Sequence, residues 1–324
     1  FDDCLTMGDL MKGFYGSYSG IITGLLGFIN AILLVGMELH VLGIMCETLL
    51  DIQAKWGIII GGLGLALYAA HGGIKAVTTT DIFQFIMLAV FIPLIAYLAV
   101  GKVGGIQELL QKVPATKLEV FTHKEFSFYA TLFLMWIIPA GAIDAAIIQR
   151  MLMAKRGEQL RNQYLVVAAF DPAFQLVIML IGLSAIVLYP SIEAKQVVPH
   201  LIHQLLPVGI QGLAIAGVLA VGMSSIDSYL HAAGLTLSHD VIKPICDKKS
   251  ILINELKWAR YMTVFISLVG IYIGLKATDI LGLAFSALEF VSPLLMFPLF
   301  SGTMGLKTDK RSFYTALVIT LIAF

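Results

Sequence analysis

The stretch Ala216-Gly-Val-Leu-Ala-Val-Gly-Met-Ser-Ser-Ile-Asp-Ser-Tyr-Leu-His231 decides the fold. It is apolar enough to sit in a bilayer, yet it carries Ser224, Ser225, Asp227, Ser228 and His231. In a helix, Ser224, Asp227, Ser228 and His231 follow one another at i, i+3, i+4 and i+7, so they form one polar stripe, and Gly217 thins the same face. A carboxylate inside a spanning helix costs roughly 2.5–3.5 kcal/mol on insertion scales, so such a stripe is a functional site by default and needs partners inside the membrane.

The rest of the chain supplies the same environment. Hydrophobic residues make up 59% of it and charged residues 13%, against about 45–50% and about 25% in soluble domains. Apolar stretches of spanning length recur from end to end with short polar joints, so the chain is expected to be one all-α integral membrane domain over 1–324. A transmembrane barrel is excluded, because the runs are continuous and lack period-two alternation. Basic tracts for nucleic acid are absent. Cys4, Cys46 and Cys246 have neither metal-ligand spacing nor the pattern of a disulfide framework. The chain starts without methionine and stops inside an apolar run, as a fragment would.

Outward from the stripe, eight full spans are expected, over 20–46, 56–70, 80–101, 126–151, 163–189, 208–238, 256–275 and 279–303, with a truncated ninth at 312–324. Residues 1–17 read as a polar entry segment, 71–81 as a tight connection, and 106–113 as a surface amphipathic piece. Kinks or breaks are expected at Pro93, Pro139-Ala-Gly141, Asp171-Pro172, Pro293 and Pro298. With the amino end inside, the inside joints hold fourteen of the 21 basic residues, in keeping with the positive-inside rule.

Depth then decides which polar groups meet. Asp227 lies about 19 residues below Val208, or about 28 Å at 1.5 Å per residue, towards the cytoplasmic face. Asp81 starts its span from that same face, and two acids among hydroxyls at one level suit a hard, oxygen-seeking cation. Asp81 behind three threonines is equally what a helix cap looks like. Glu38, Asp144, Asp171 and Glu289 are the other membrane acids, with no lysine or arginine at the helix centres to pair with them. Asp144 and Glu289 read as cavity residues, His40 and His231 as helix-contact residues. Trp136 packs, or stands on a cavity wall before the 139–141 break. No nucleotide-binding or hydrolase motif is present, so an enzyme is not expected, and a secondary transporter with broken helices explains more.

Three stretches resemble the sodium:solute symporter family. Gly72-Gly-Ile-Lys-Ala-Val-Thr-Thr-Thr-Asp-Ile-Phe-Gln84 is similar to its Gly-Gly-x-x-Ala-Val-x-x-Thr-Asp-x-x-Gln, Ile147-Ile-Gln-Arg-Met-Leu-Met-Ala-Lys155 to its Gln-Arg-x-x-x-Ala-Lys, and Met223-Ser-Ser-Ile-Asp-Ser228 to its sodium-site helix. The resemblance implies a LeuT-type fold of inverted five-helix repeats, with 18–101 a partial first repeat lacking its first two core helices and 126–303 the second. It implies a main sodium site from the Ser224 and Ser225 hydroxyls and the Val221 carbonyl. A second site, found in some members, would use Asp81, Ser224, Ser228 and the position of Asp227, where serine is usual; the extra carboxylate could strengthen sodium binding or carry a proton. In sugar carriers Asp144 would stand where an asparagine lies near the substrate and Phe285 where a glutamine binds sugar, with Glu289 one turn away. Pro139-Ala-Gly141 and Asp171-Pro172 replace sugar-contacting groups, which argues against a sugar and favours a solute with a cationic amine, such as an amino acid or quaternary amine. Gln149 and Arg150 read as a topological anchor or, alternatively, a gate. The expected function is sodium-coupled solute symport across the inner or plasma membrane, the alternative a transporter-like sensory domain of a larger signalling protein.

Overall fold

The computed structural model describes residues 4–118, 126, 130, 144–306 and 309–323, which form helices and no strand. Five of the helices are long and apolar enough to cross a membrane.

Helix α1, Met7–Tyr15, occupies the expected polar entry segment. Thr6 caps it by accepting the Asp9 amide at 3.1 Å, and Met7, Leu10, Met11 and Tyr15 form its buried face. Helix α2 runs Ser17–Leu50, and α3 runs Ala54–Val103 with one non-helical residue, Gly73, at φ 59° and ψ −167°. That backbone region is essentially closed to other residues, so glycine is required there. The turn is sharp. Tyr68 and Thr80 share a 2.7 Å hydrogen bond across it, whereas twelve residues of straight helix would separate them by about 18 Å. The two limbs of α3 therefore correspond to the spans expected at 56–70 and 80–101, but the second is helical from residue 74, and it remains helical through Pro93.

Helix α4, Ile106–Lys112, is the amphipathic piece, with Leu109 buried against Val103 and Val113. A short α5, Ala115–Leu118, follows. The break at Pro139-Ala-Gly141 lies outside the described residues. Helix α6 is Ala145–Leu152 and α7 is Gly157–Leu188, continuous past Asp171-Pro172 where a break is expected. A 3-10 turn, Ala194–Gln196, leads to α8, Val197–Leu205, an element absent from the sequence reading. Helix α9, Val208–Thr236, carries the polar stripe and passes through a π-helical turn, Leu237–Ile242, into α10, Lys243–Lys248. Helix α11 is Glu255–Lys276, α12 is Ile280–Thr303 and α13 is Lys310–Ala323.

Helix α9 is the centre of the packing. Its Ile226, Leu230 and Ala233 are buried with Leu39 of α2, Leu65 of the first α3 limb and Ile266 of α11. Higher up, its Ala214 and Val218 pack on Phe91 and Ile95 of the second limb. Small residues bring backbones close: a Cβ on Gly270 would stand 2.5 Å from Val35 Cγ1, and one on Gly36 the same distance from Ile273 Cγ2. Two interhelical hydrogen bonds reinforce this region, His40 Nδ1 with the Gly274 carbonyl at 2.9 Å and Ser267 Oγ donating to the Gly62 carbonyl at 2.8 Å. Since lipid is as apolar as the side chains, such contacts rather than expulsion from water hold membrane helices together.

Candidate functional site

The second limb of α3 rises beside α9 in the opposite direction, so Asp81 meets Ser224 while Met87 and Phe91 meet Gly217. Asp81 is two turns inside the limb and does not cap it, which removes the capping alternative. The threonines before it are occupied locally: Thr78 donates to the Ile74 carbonyl at 2.9 Å and Thr79 to the Lys75 carbonyl at 2.8 Å. Both oxygens of the Asp81 carboxylate are engaged. Oδ1 accepts from Ser224 Oγ, and Oδ2 accepts from Arg150 Nη2 at 2.7 Å.

Arg150, expected as a topological anchor or a gate, pairs with Asp81, which the sequence reading did not anticipate. It sits on α6, and the same Nη2 donates to Ser228 Oγ, so its guanidinium bridges the α3 limb and the stripe on α9. Ser228 Oγ in turn donates to the Ser224 carbonyl at 2.8 Å and, more weakly, to Asp227 Oδ1 at 3.4 Å. Gln149 beside it accepts from His231 Nδ1 through its Oε1 at 3.2 Å, so His231 is a helix-contact residue as expected. The signal was the Gln-Arg pair itself, but its place at a basic joint reads equally as a topological anchor.

Asp144 holds α6 in position. Its Oδ1 accepts the amides of Ala146 at 2.7 Å and Ile147 at 3.2 Å, a helix N-cap. The same residue lines a cavity of about 160 Å³ with Arg150, Ser224, Ser225, Ser228 and Tyr229. That volume accommodates roughly five waters at about 30 Å³ each, or a small ion with part of its hydration shell. Asp227 is outside this cavity lining and only 1% exposed. Val221 lies one turn before Ser225 on the same helix. Three carboxyls (Asp81, Asp144 and Asp227) and a single guanidinium therefore surround a group of serine oxygens, an arrangement that attracts a small cation. Trp136 lies outside the described residues. Phe285 and Glu289 fall one turn apart on α12, and their side chains are likewise outside the described set.

The sodium:solute symporter family model matches residues 2–305. The chain belongs to that family. Its relatives include the sodium/sialic acid symporter NanT of Aliivibrio fischeri, 23% identical over 68% of this chain and 47% of that protein. Another is the sodium/proline symporter 2 of Staphylococcus saprophyticus, 23% identical over 99% of this chain and 66% of that protein. A third is the rabbit (Oryctolagus cuniculus) sodium/myo-inositol cotransporter 2, 29% identical over 60% of this chain and 36% of that protein. This symporter-family chain thus spans about half the length of several curated relatives it matches. Among solved structures, that of a Na+-coupled sialic acid symporter in its substrate-bound outward-open state superposes with a TM-score of 0.76 at 17% identity, over 98% of this chain and 77% of that one. The fold is accordingly LeuT-like, all-α and multi-pass.

Proposed function

We propose that this protein is a sodium-coupled symporter of a small organic solute. The observation that carries the reading is the bonding of Asp81 to Ser224 and Arg150, and through Arg150 to Ser228, beside a small polar cavity between two membrane helices. Sodium is the cargo at this site. The hydroxyls of Ser224 and Ser225 and the carbonyl of Val221 form one part of it. Asp81, Ser224, Ser228 and Asp227 form a second, which opens when the Arg150 guanidinium withdraws from Asp81. Sodium on α9 favours the outward-open state, and the solute completes closure. Residues 18–101 form a partial first repeat and 126–303 the second repeat of the LeuT-like fold.

The solute contacts are Asp144, Trp136, Phe285 and Glu289. Two acids among them favour a cationic amine, an amino acid or a quaternary amine. Support for Asp144 comes from its position on the cavity wall between α6 and the serines of α9.

The test is uptake of a panel of radiolabelled amino acids, amines and sugars by the full-length protein in proteoliposomes with and without a sodium gradient. Uptake of an amine-bearing solute that needs sodium is expected, and uptake indifferent to sodium overturns the coupling. Ser224→Ala or Ser225→Ala removes one oxygen from the ion, worth about 1.5–3 kcal/mol for a bond to a charged group. The sodium concentration for half-maximal uptake is expected to rise about 10-fold or more, at 1.4 kcal/mol per tenfold. An unchanged value rejects the assignment of that serine.

A further inference from the structure

Away from the α3–α9 site, the chain gathers a second set of ionisable groups where α1, the π-helical turn and α11 meet. His239 and Asp240 lie on that turn, and π-helical segments inside helices frequently mark functional sites. His239 Nε2 is 2.9 Å from Asp9 Oδ2, and its Nδ1 is bonded to Glu255 Oε1. Glu255 Oε2 accepts from Lys243 Nζ at 2.7 Å. Asp240 Oδ1 accepts from the Thr6 hydroxyl at 2.5 Å. Asp240 is only 5% exposed, and its Oδ2 is buried without a hydrogen-bond partner. The Gly8 backbone packs directly on that carboxyl, where a Cβ would collide with Oδ2. Asp9, His239 and Asp240 line one cavity of about 390 Å³ and can offer ligand atoms that all lie within 4.8 Å of one another.

Hydrogen-bond donors and acceptors do not balance in this cluster. An imidazolium has two N–H donors, and here Asp9 and Glu255 take both. The third acid, Asp240, keeps Oδ2 without a hydrogen-bond partner, and an unpaired polar group at such depth is costly. A divalent cation resolves the conflict. It would take His239 Nε2, an Asp9 oxygen and Asp240 Oδ2 together, leaving the Nδ1–H on Glu255. The surroundings already match that arrangement, since metal-bound histidines almost always donate the other ring N–H to a carboxylate or carbonyl, and ligating carboxylates are themselves hydrogen-bonded. Glu255 fills the first role, and Thr6 on Asp240 the second. Of the three lysines on the cavity wall, Lys243 is tied to Glu255, Lys248 lies 4.2 Å from the centre of the Tyr18 ring, and Lys12 acts on Asp9 through its charge alone. One nitrogen and two carboxylate ligands select a first-row divalent ion such as Zn2+ or Mn2+ over sodium or calcium, which take oxygen ligands alone.

We propose that Asp9, His239 and Asp240 bind one first-row divalent cation that clamps α1 to the end of the α9–α10 helix. The site is independent of the sodium site and of the solute. It is tested on the purified full-length protein, stripped with chelator and then titrated with Zn2+ and Mn2+. One ion per chain is expected, with affinity lowered at least 100-fold by His239→Ala or Asp240→Asn, and about 10–100-fold by Glu255→Gln, the usual effect of losing an outer partner. Pulsed EPR of Mn2+ bound to the unmodified protein reads the ligand directly: coupling to a directly bonded imidazole nitrogen is expected. Absence of stoichiometric binding, absence of that nitrogen coupling, or unchanged affinity in a folded His239→Ala protein overturns the proposal. If the variants fail to fold, the nitrogen signal of the unmodified protein decides. None of these readouts depends on uptake, so the outcome is separable from that of the transport experiments.

Discussion

Arg150 lies between the Asp81 carboxylate and the Ser228 hydroxyl, inside the second sodium site proposed above. Its guanidinium is permanently charged and donates to both partners at once, which a lysine ammonium does with less geometric definition. If it is an internal counter-ion released when sodium arrives, Arg150 and Asp81 act as one unit. Changing both to neutral residues, Arg150→Gln with Asp81→Asn, is then expected to shift the sodium half-saturation by less than the sum of the single changes. The discrepancy should correspond to about 1 kcal/mol or more, within the range for side chains in one network. A double-mutant cycle on sodium-dependent uptake measures this, and additivity would separate the two residues. Asp144 also has two roles at once, capping α6 and lining the cavity. Asp144→Asn keeps an acceptor for the amides, so a change in solute selectivity there would report on the cavity and not on the helix.

At the scale of elements, Gly73 is what allows one helical run of 50 residues to fold back on itself. Gly73→Ala places a Cβ in a backbone region that costs of order 1–3 kcal/mol. A lower thermal midpoint in detergent and poorer expression are expected. Gly64→Ala is the control, because a Cβ there meets nothing within 4 Å and alanine is the better helix former. If both variants melt alike, the hairpin does not depend on that torsion. The Gly-Gly pair was legible as a connection, but its length was not: the reading spread it over 71–81, and the structure compresses it to one residue. Asp81 thereby moves from a helix start to two turns inside. Helix α1 was legible in principle, since Met7, Leu10, Met11 and Tyr15 keep helical spacing behind the Thr6 cap, yet a short amphipathic segment between polar residues resembles a loop when only spanning length is sought.

At the scale of the molecule, the fourteen basic residues on one set of joints put α10 and its lysines inside and the α11–α12 joint outside. With Cys4 and Cys46 replaced by serine, Cys246 on α10 is expected to react with a membrane-impermeant maleimide in inside-out vesicles and not in right-side-out ones. Lys276→Cys, in a chain without the native cysteines, is expected to show the opposite pattern. Labelling of both from one side would overturn the orientation. The clamp proposed for Asp9, His239 and Asp240 would then lie on the cytoplasmic surface, where α1 meets the helix that also carries the proposed sodium ligands.

The sequence by itself determined the class, the membrane orientation expected from its charges, the spacing of the α9 stripe and the level of Asp81 relative to it. Each of these follows from local periodicity, composition or rise per residue, quantities that a chain carries without folding. Only the tertiary structure decided that Arg150 pairs with Asp81, that Asp227 lies outside the small cavity, and that α1 and α11 converge on the π-helical turn. Those facts depend on how helices distant in sequence are rotated and packed, and small residues such as Gly36 and Gly270 set that packing without marking in the sequence which helix they will touch.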